Sequence, residues 1–196
     1  TVAKLLELNV DDVQLSLDCV GKGQRKGDIE LGGTTIKLTH FSHMVRVAYM
    51  VKYFFPDDLE GRRLALLHDT KEEALINSQS LYKQSGLSKE IELLTEQEPT
   101  DSEVEHFKNI LPSKFDPSYF AEYKKYISLL HQNWSKLRGL ELCDRLDGSA
   151  SFTYLLNEKY ANRLQTKSLE TFGRIWATIS PENNLITEKI KDNCRV

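Results

Sequence analysis

Between Thr39 and Leu67 apolar residues recur at helical spacing, with a single interruption at Phe55-Pro56-Asp57-Asp58. This pattern calls for two consecutive amphipathic helices. Thr39 or Ser42 supplies a capping oxygen for the first, Pro56 closes it, and Asp57 or Asp58 opens the second. The apolar run Leu64-Ala65-Leu66-Leu67 carries the second helix as far as His68-Asp69, with a helix or turn continuing to about residue 76. The same period predicts helices over 2–8 and 13–20, the latter capped by Asp11 or Asp12. Further helices are expected over 88–98, stopped by Pro99, over 119–131 and 135–160, and over 168–179, with a last one in 182–196. Residues 100–117, with prolines at 112 and 117, read as a connection holding one helix.

One stretch departs from that period. Half of the ten glycines fall between Gly21 and Gly33. Within it, residues 29–31, the pair Gly32-Gly33 and residues 34–38 alternate like a small β-hairpin, so a hairpin near residues 28–38 and a glycine-rich surface loop are both open. The expected class is an all-α bundle with at most one hairpin.

A length of 196 residues, against roughly 150 per domain, favours one domain over 1–196 with a helical extension at about 165–196. Hydrophobic residues make up 40%, enough for a core without disulfides. Basic and acidic residues number 26 and 29, a balance that speaks against a dedicated nucleic-acid binder. No apolar run approaches the ~20 residues that span a bilayer, and no basic-then-apolar signal opens the sequence, so the expected setting is cytoplasmic without membrane attachment. Cys19, Cys143 and Cys194 are too scattered for a disulfide framework or a CxxC knuckle.

Three segments concentrate groups that do chemistry. His68-Asp69 ends an apolar helix at the edge of the core, and Glu72 and Glu73 follow each of them by four residues, one turn on if the helix continues. His43 begins another apolar helix, with Arg46 one turn along. Asp144 sits on an otherwise apolar helix face, where a carboxylate is costly unless it is paired or bound to a cation. Pairing with a nearby arginine, or capping a local turn, is the plain structural account of Asp144. Together His43, His68, Asp69 and Asp144 offer two imidazoles and two carboxylates, a mixed N/O set suited to Mn(II), Fe(II) or Mg(II) with positions left for water. Such an ion lowers the pKa of water and polarises a phosphoryl oxygen, and Glu72 and Glu73 would then orient that water or move its proton. His40 competes with His43 for its role, while His106 and His131 lie in polar surroundings and read as surface residues.

The order His, His-Asp, Asp resembles the HD-domain metal-dependent phosphohydrolase superfamily. The stretch His68-Asp69-Thr70-Lys71-Glu72-Glu73 is similar to the His-Asp-x-x-Glu-Asp motif of RelA/SpoT-like alarmone hydrolases, including the small single-domain ones. His43 with Val47-Ala48 resembles that family's first motif, and Leu142-Cys143-Asp144-Arg145-Leu146 its last. Gln24-Arg25-Lys26-Gly27 resembles its basic substrate-contacting element. The resemblance covers about residues 21–155. It implies an HD-type helical bundle, a manganese-dependent hydrolase of a nucleotide, and (p)ppGpp-type 3'-pyrophosphate as substrate. Sister branches of the superfamily act as 5'-nucleotidases or deoxynucleoside triphosphohydrolases, and a degenerate relative would bind a nucleotide or protein partner without turnover. Arg25 and Lys26 are candidate phosphate contacts, and Arg46, Arg138, Arg145 and Asp147 complete the candidate substrate set. This sequence departs from the family pattern at Met44, Arg46, Glu73 and Gly148, where relatives carry proline, a small residue, aspartate and asparagine.

Overall fold

The computed structural model describes residues 1–21, 23–71, 80–97 and 134–151. These residues form helices, as the helical period implies, and a single two-stranded antiparallel hairpin, which decides between the hairpin and the glycine-rich loop.

Helix α1 (Val2–Leu6) is capped by Thr1 and ends sooner than its pattern suggests, because Glu7 takes the left-handed conformation at φ 55°. Helix α2 (Val10–Val20) also differs from expectation at its start. Asn9, not Asp11 or Asp12, is the cap, its side chain accepting from the Asp11 amide, so the helix begins earlier. Asp12 is instead buried and paired with Arg63 through two hydrogen bonds of 2.8 and 3.0 Å.

Strands β1 (Gln24–Leu31) and β2 (Thr34–Thr39) are longer than residues 28–38. Pairing runs from Leu31↔Thr34 to Asp28↔Lys37 and resumes at Gln24↔Thr39 after a register shift. Gly32 and Gly33 both have positive φ, 58° and 77°, which a two-residue turn of this hand requires and residues with a β-carbon resist.

Thr39 ends β2 and caps α3 (His40–Phe54) in the same residue. Its hydroxyl accepts from the Ser42 amide while Ser42 Oγ accepts from the Thr39 amide, a reciprocal capping box. His43, Met44, Val47, Ala48 and Val51 form the buried stripe of α3, while Tyr49 and Tyr53 face outward. Asp58 caps α4 (Leu59–Leu67), whose last four residues are fully enclosed. Beyond Leu67 the chain tightens into a 3₁₀ turn, His68–Thr70. The α-helical continuation that would stack Glu72 over His68 is therefore absent up to Lys71; Glu72, Glu73 and the rest of the stretch to residue 76 lie outside the described residues. A second 3₁₀ turn, Leu81–Ser85, precedes α5 (Ser88–Gln97).

Helix α6 (Trp134–Ser151) packs against α3 and α4. Residues 139–143 and 145–148 are all buried, including Glu141, Arg145 and Asp147, so this helix has no solvent face over that span. Gly139 permits the approach to α3: a β-carbon there would lie 2.9 Å from the Phe55 ring. The core combines Leu6, Cys19 and Val20 with the inner faces of α3, α4, α5 and α6. Among the described residues no helix is long and apolar enough to cross a membrane. The expected helices within 100–131 and beyond 151, and the extension at 165–196, lie outside the described residues.

Candidate metal centre

Three elements bring their polar residues to one point at the edge of this core. His43 lies in the first turn of α3, on the face that also carries Met44 and Val47, so its ring is turned inward and is 1% exposed. His68 and Asp69 are delivered by the 3₁₀ turn after α4. Asp144 comes from the centre of α6. His43 Nε2 lies 3.0 Å from Asp144 Oδ1 and 3.6 Å from Asp69 Oδ2. His68 Nε2 lies 3.1 Å from Asp69 Oδ1 and 3.9 Å from Asp144 Oδ1. The two imidazoles meet edge-on, with ring centres 5.3 Å apart.

His43, His68 and Asp69 form a group that could hold a metal ion: one ligand atom of each lies within 4.8 Å of the other two. The hydrogen bonding of His68 suits that use. Its Nδ1 is 2.8 Å from the Ala65 carbonyl, which only accepts, so Nδ1 is a donor and Nε2 is the nitrogen left to bind a cation. That Nε2 is buried and has no hydrogen-bond partner among the described residues. A buried ring nitrogen beside carboxylate oxygens, with no hydrogen bond of its own, is a place where a cation would satisfy both.

Asp144 divides its two oxygens. Oδ1 is directed at the imidazoles, while Oδ2 is held 2.7 Å from Arg145 Nη2. Burial pushes the Asp144 carboxyl up, but the Arg145 guanidinium and the two histidines outweigh it and hold it well below the usual carboxylate range. The neighbouring Cys143 thiol is raised by burial, with the Asp144 charge adding to it, and stays protonated at neutral pH.

The remaining candidates fall into three groups. Arg46 and Asp147 are brought to the site but face each other: Arg46 Nε donates to Asp147 Oδ1 at 2.7 Å and Nη2 to Oδ2 at 3.0 Å. Asp147 Oδ2 also lies 2.7 Å from His43 Nδ1, on the far side of the ring from Asp144. Arg145 curls back onto its neighbour Asp144 and is buried there. Arg25 and Lys26 lie on β1, in the stretch of shifted register between Gln24 and Asp28, and Arg138 lies on α6, six residues before Asp144. Glu72, Glu73, His106 and His131 are outside the described residues. His40, the rival of His43, starts α3 at the foot of the hairpin, where its amide donates to the Gly23 carbonyl at 3.1 Å.

Two supporting contacts carry no plain sequence signal, and one of them turns Asp147, expected to meet substrate, toward His43 instead. The Ala65 carbonyl that orients His68 is main chain and has no sequence signal. The link from Asp147 to His43 had one in principle, since Asp144 and Asp147 are three residues apart and share a helix face. No protein-family model matches this sequence, and neither curated proteins nor solved structures provide a match.

Proposed function

We propose that this protein is a metal-dependent phosphohydrolase of the HD type acting on a nucleotide, with the 3'-pyrophosphate of a (p)ppGpp-type alarmone as its leading substrate. The observation that carries the reading is the convergence of His43, His68, Asp69 and Asp144, with the buried His68 Nε2 lacking a hydrogen-bond partner among the described residues. These four would hold the ion. Their nitrogen and oxygen donors suit Mn(II), with Fe(II) or Mg(II) as the other fitting ions, better than a thiophilic metal. When bound, such an ion supplies a water of lowered pKa and polarises a phosphoryl oxygen.

The chain's own residues do the rest. Arg145 keeps Asp144 ionised and aims one of its oxygens at the imidazoles. Glu72 takes the proton from the attacking water, with Glu73 steering the same water. Arg25 and Lys26 bind phosphate oxygens, where the planar guanidinium engages two at once. Hydrolysis of the bond between the 3'-oxygen and phosphorus releases pyrophosphate and leaves a 3'-hydroxyl.

The test has two parts. Protein purified with Mn(II) should contain one ion per chain by elemental analysis, and Asp69→Ala should contain none. A nucleotide panel then reads the product. Pyrophosphate from guanosine 3',5'-bis(diphosphate) supports the alarmone reading; orthophosphate from monophosphates, or tripolyphosphate from deoxynucleoside triphosphates, replaces it with a sister activity. Stoichiometric metal in Asp69→Ala rejects the site.

A further inference from the structure

The two candidate imidazoles are held by unequal means. His68 leans on a carbonyl of its own turn, Ala65 O, a contact that no side-chain substitution removes. His43 leans on a side chain from another helix, 104 residues away in sequence. That side chain, Asp147, is 5% exposed and accepts from Arg46 at both of its oxygens. A carboxylate bound twice by a guanidinium is ionised and can only accept, so His43 Nδ1 must be the donor in the 2.7 Å contact. The proton on Nδ1 leaves Nε2, the nitrogen facing Asp69 and Asp144, as the one able to bind a cation. Arg46 is tied in turn to the first turn of α3, where its Nη1 donates to Ser42 Oγ at 3.3 Å.

We propose that Arg46 and Asp147 are a positioning pair that selects the metal-facing nitrogen of His43 and locks its ring between the two carboxylates of α6. The inference rests on the metal reading above. It also explains why these two candidates bind each other: Asp147 spends both oxygens behind His43, and the Arg46 fork is turned toward Asp147.

The structure contains its own control. Arg63 and Asp12 form a second bidentate pair with nearly the same geometry, 2.8 and 3.0 Å against 2.7 and 3.0 Å, and among the described residues Arg63 donates only to Asp12 and the Ser85 carbonyl. Breaking either pair removes the same kind of interaction, but only one of them supports a candidate ligand.

The experiment is Mn(II) titration of the metal-free full chain by calorimetry, for the wild type, Asp69→Ala, Asp147→Asn, Arg46→Gln, Arg46→Lys and Arg63→Gln. Removing a partner of a metal-binding histidine costs about 10- to 100-fold in affinity. Asp147→Asn should weaken Mn(II) within that range and Arg46→Gln toward its lower end. Arg46→Lys should recover part of the loss, and Arg63→Gln should bind as the wild type does. If Asp147→Asn does not fold, Arg46→Gln decides, since this side chain is 38% exposed and its replacement leaves the core side chains in place. Ring ¹⁵N shifts of the Zn(II)-loaded wild type should show the His43 proton on Nδ1. Wild-type affinity in both Asp147→Asn and Arg46→Gln, with binding still lost in Asp69→Ala, overturns the positioning pair alone. An equal loss in Arg63→Gln also overturns it, because the effect would then be general loosening. A wild type that binds no Mn(II) removes the metal reading and this inference together.

Discussion

Gly139→Ala tests the packing that brings α6 against α3. In an exposed helix this change is favourable by about 1 kcal/mol, because glycine is the costlier residue in a helix interior. Here the added β-carbon would sit 2.9 Å from Phe55 Cδ2 and 3.4 Å from two further ring atoms. Carbon atoms normally rest about 3.5–4.0 Å apart, so the ring or the helix must yield. Overpacking of this kind costs about 1–3 kcal/mol. The sum predicts a net loss of about 1 kcal/mol in the wild-type background. In a Phe55→Ala background the obstacle is gone, and the same substitution should stabilise by about 1 kcal/mol. The sign therefore reverses, and the coupling between the two positions is about 2 kcal/mol. Urea denaturation of the four proteins, with the slope checked for constancy, measures it. Gly139→Ala that stabilises the wild type, or a coupling below about 0.5 kcal/mol, refutes the close approach of α6 to Phe55.

Three more outcomes are expected. Arg62→Met should cost about 2–4 kcal/mol in urea denaturation, since the buried guanidinium donates to the Leu6 carbonyl at 2.9 Å and the Pro56 carbonyl at 2.7 Å, and both lose their donor. Acid should destabilise the metal-free protein partly through Asp147. Burial pushes this carboxyl up, but His43 and Arg46 outweigh burial and bring it from 3.8 to about 2. The unfolded chain then takes up the proton first as pH falls, so a contribution of about 2 kcal/mol is complete above pH 4 and is lost toward pH 2. Asp147→Asn should flatten that part of the stability–pH curve, and an unchanged curve refutes the assignment. Glu72→Gln should lose about 100- to 10,000-fold in turnover under saturating substrate while keeping its metal; near-normal turnover with full metal content excludes Glu72 as the base.

The sequence shows α3 and α4 plainly because their ends carry chemistry that a reader can see: a threonine cap, a proline and an aspartate cap. The glycine pair marks the hairpin for the same reason, since two positive φ values leave little choice of residue. The start of α2 is ambiguous in sequence because Asn9, Asp11 and Asp12 are all competent caps, and the tertiary pairing of Asp12 with Arg63 takes it out of the competition. The turn at Leu81–Ser85 is too short to show any period. At the site, spacing selects His43, His68, Asp69 and Asp144 as candidates, and the chain folds them together. It does not reveal that Asp147 turns away from solvent toward His43, because that depends on how α6 rotates against α3.

The contacts that complete the candidate site span much of the chain, 101 residues for Arg46–Asp147 and 104 for His43–Asp147, whereas α3 and α4 are joined across residues 55–58. Closing a short loop is entropically cheaper, so the α3–α4 hairpin should be in place before α6 docks. Side chains that α6 contributes would then add little to the folding barrier and mostly set the rate of escape from the native state. In stopped-flow experiments Asp147→Asn should raise the unfolding arm and leave refolding nearly unchanged. The lifetime of the folded molecule is thus governed where its polar residues converge, and an ion held there would slow unfolding without hastening folding.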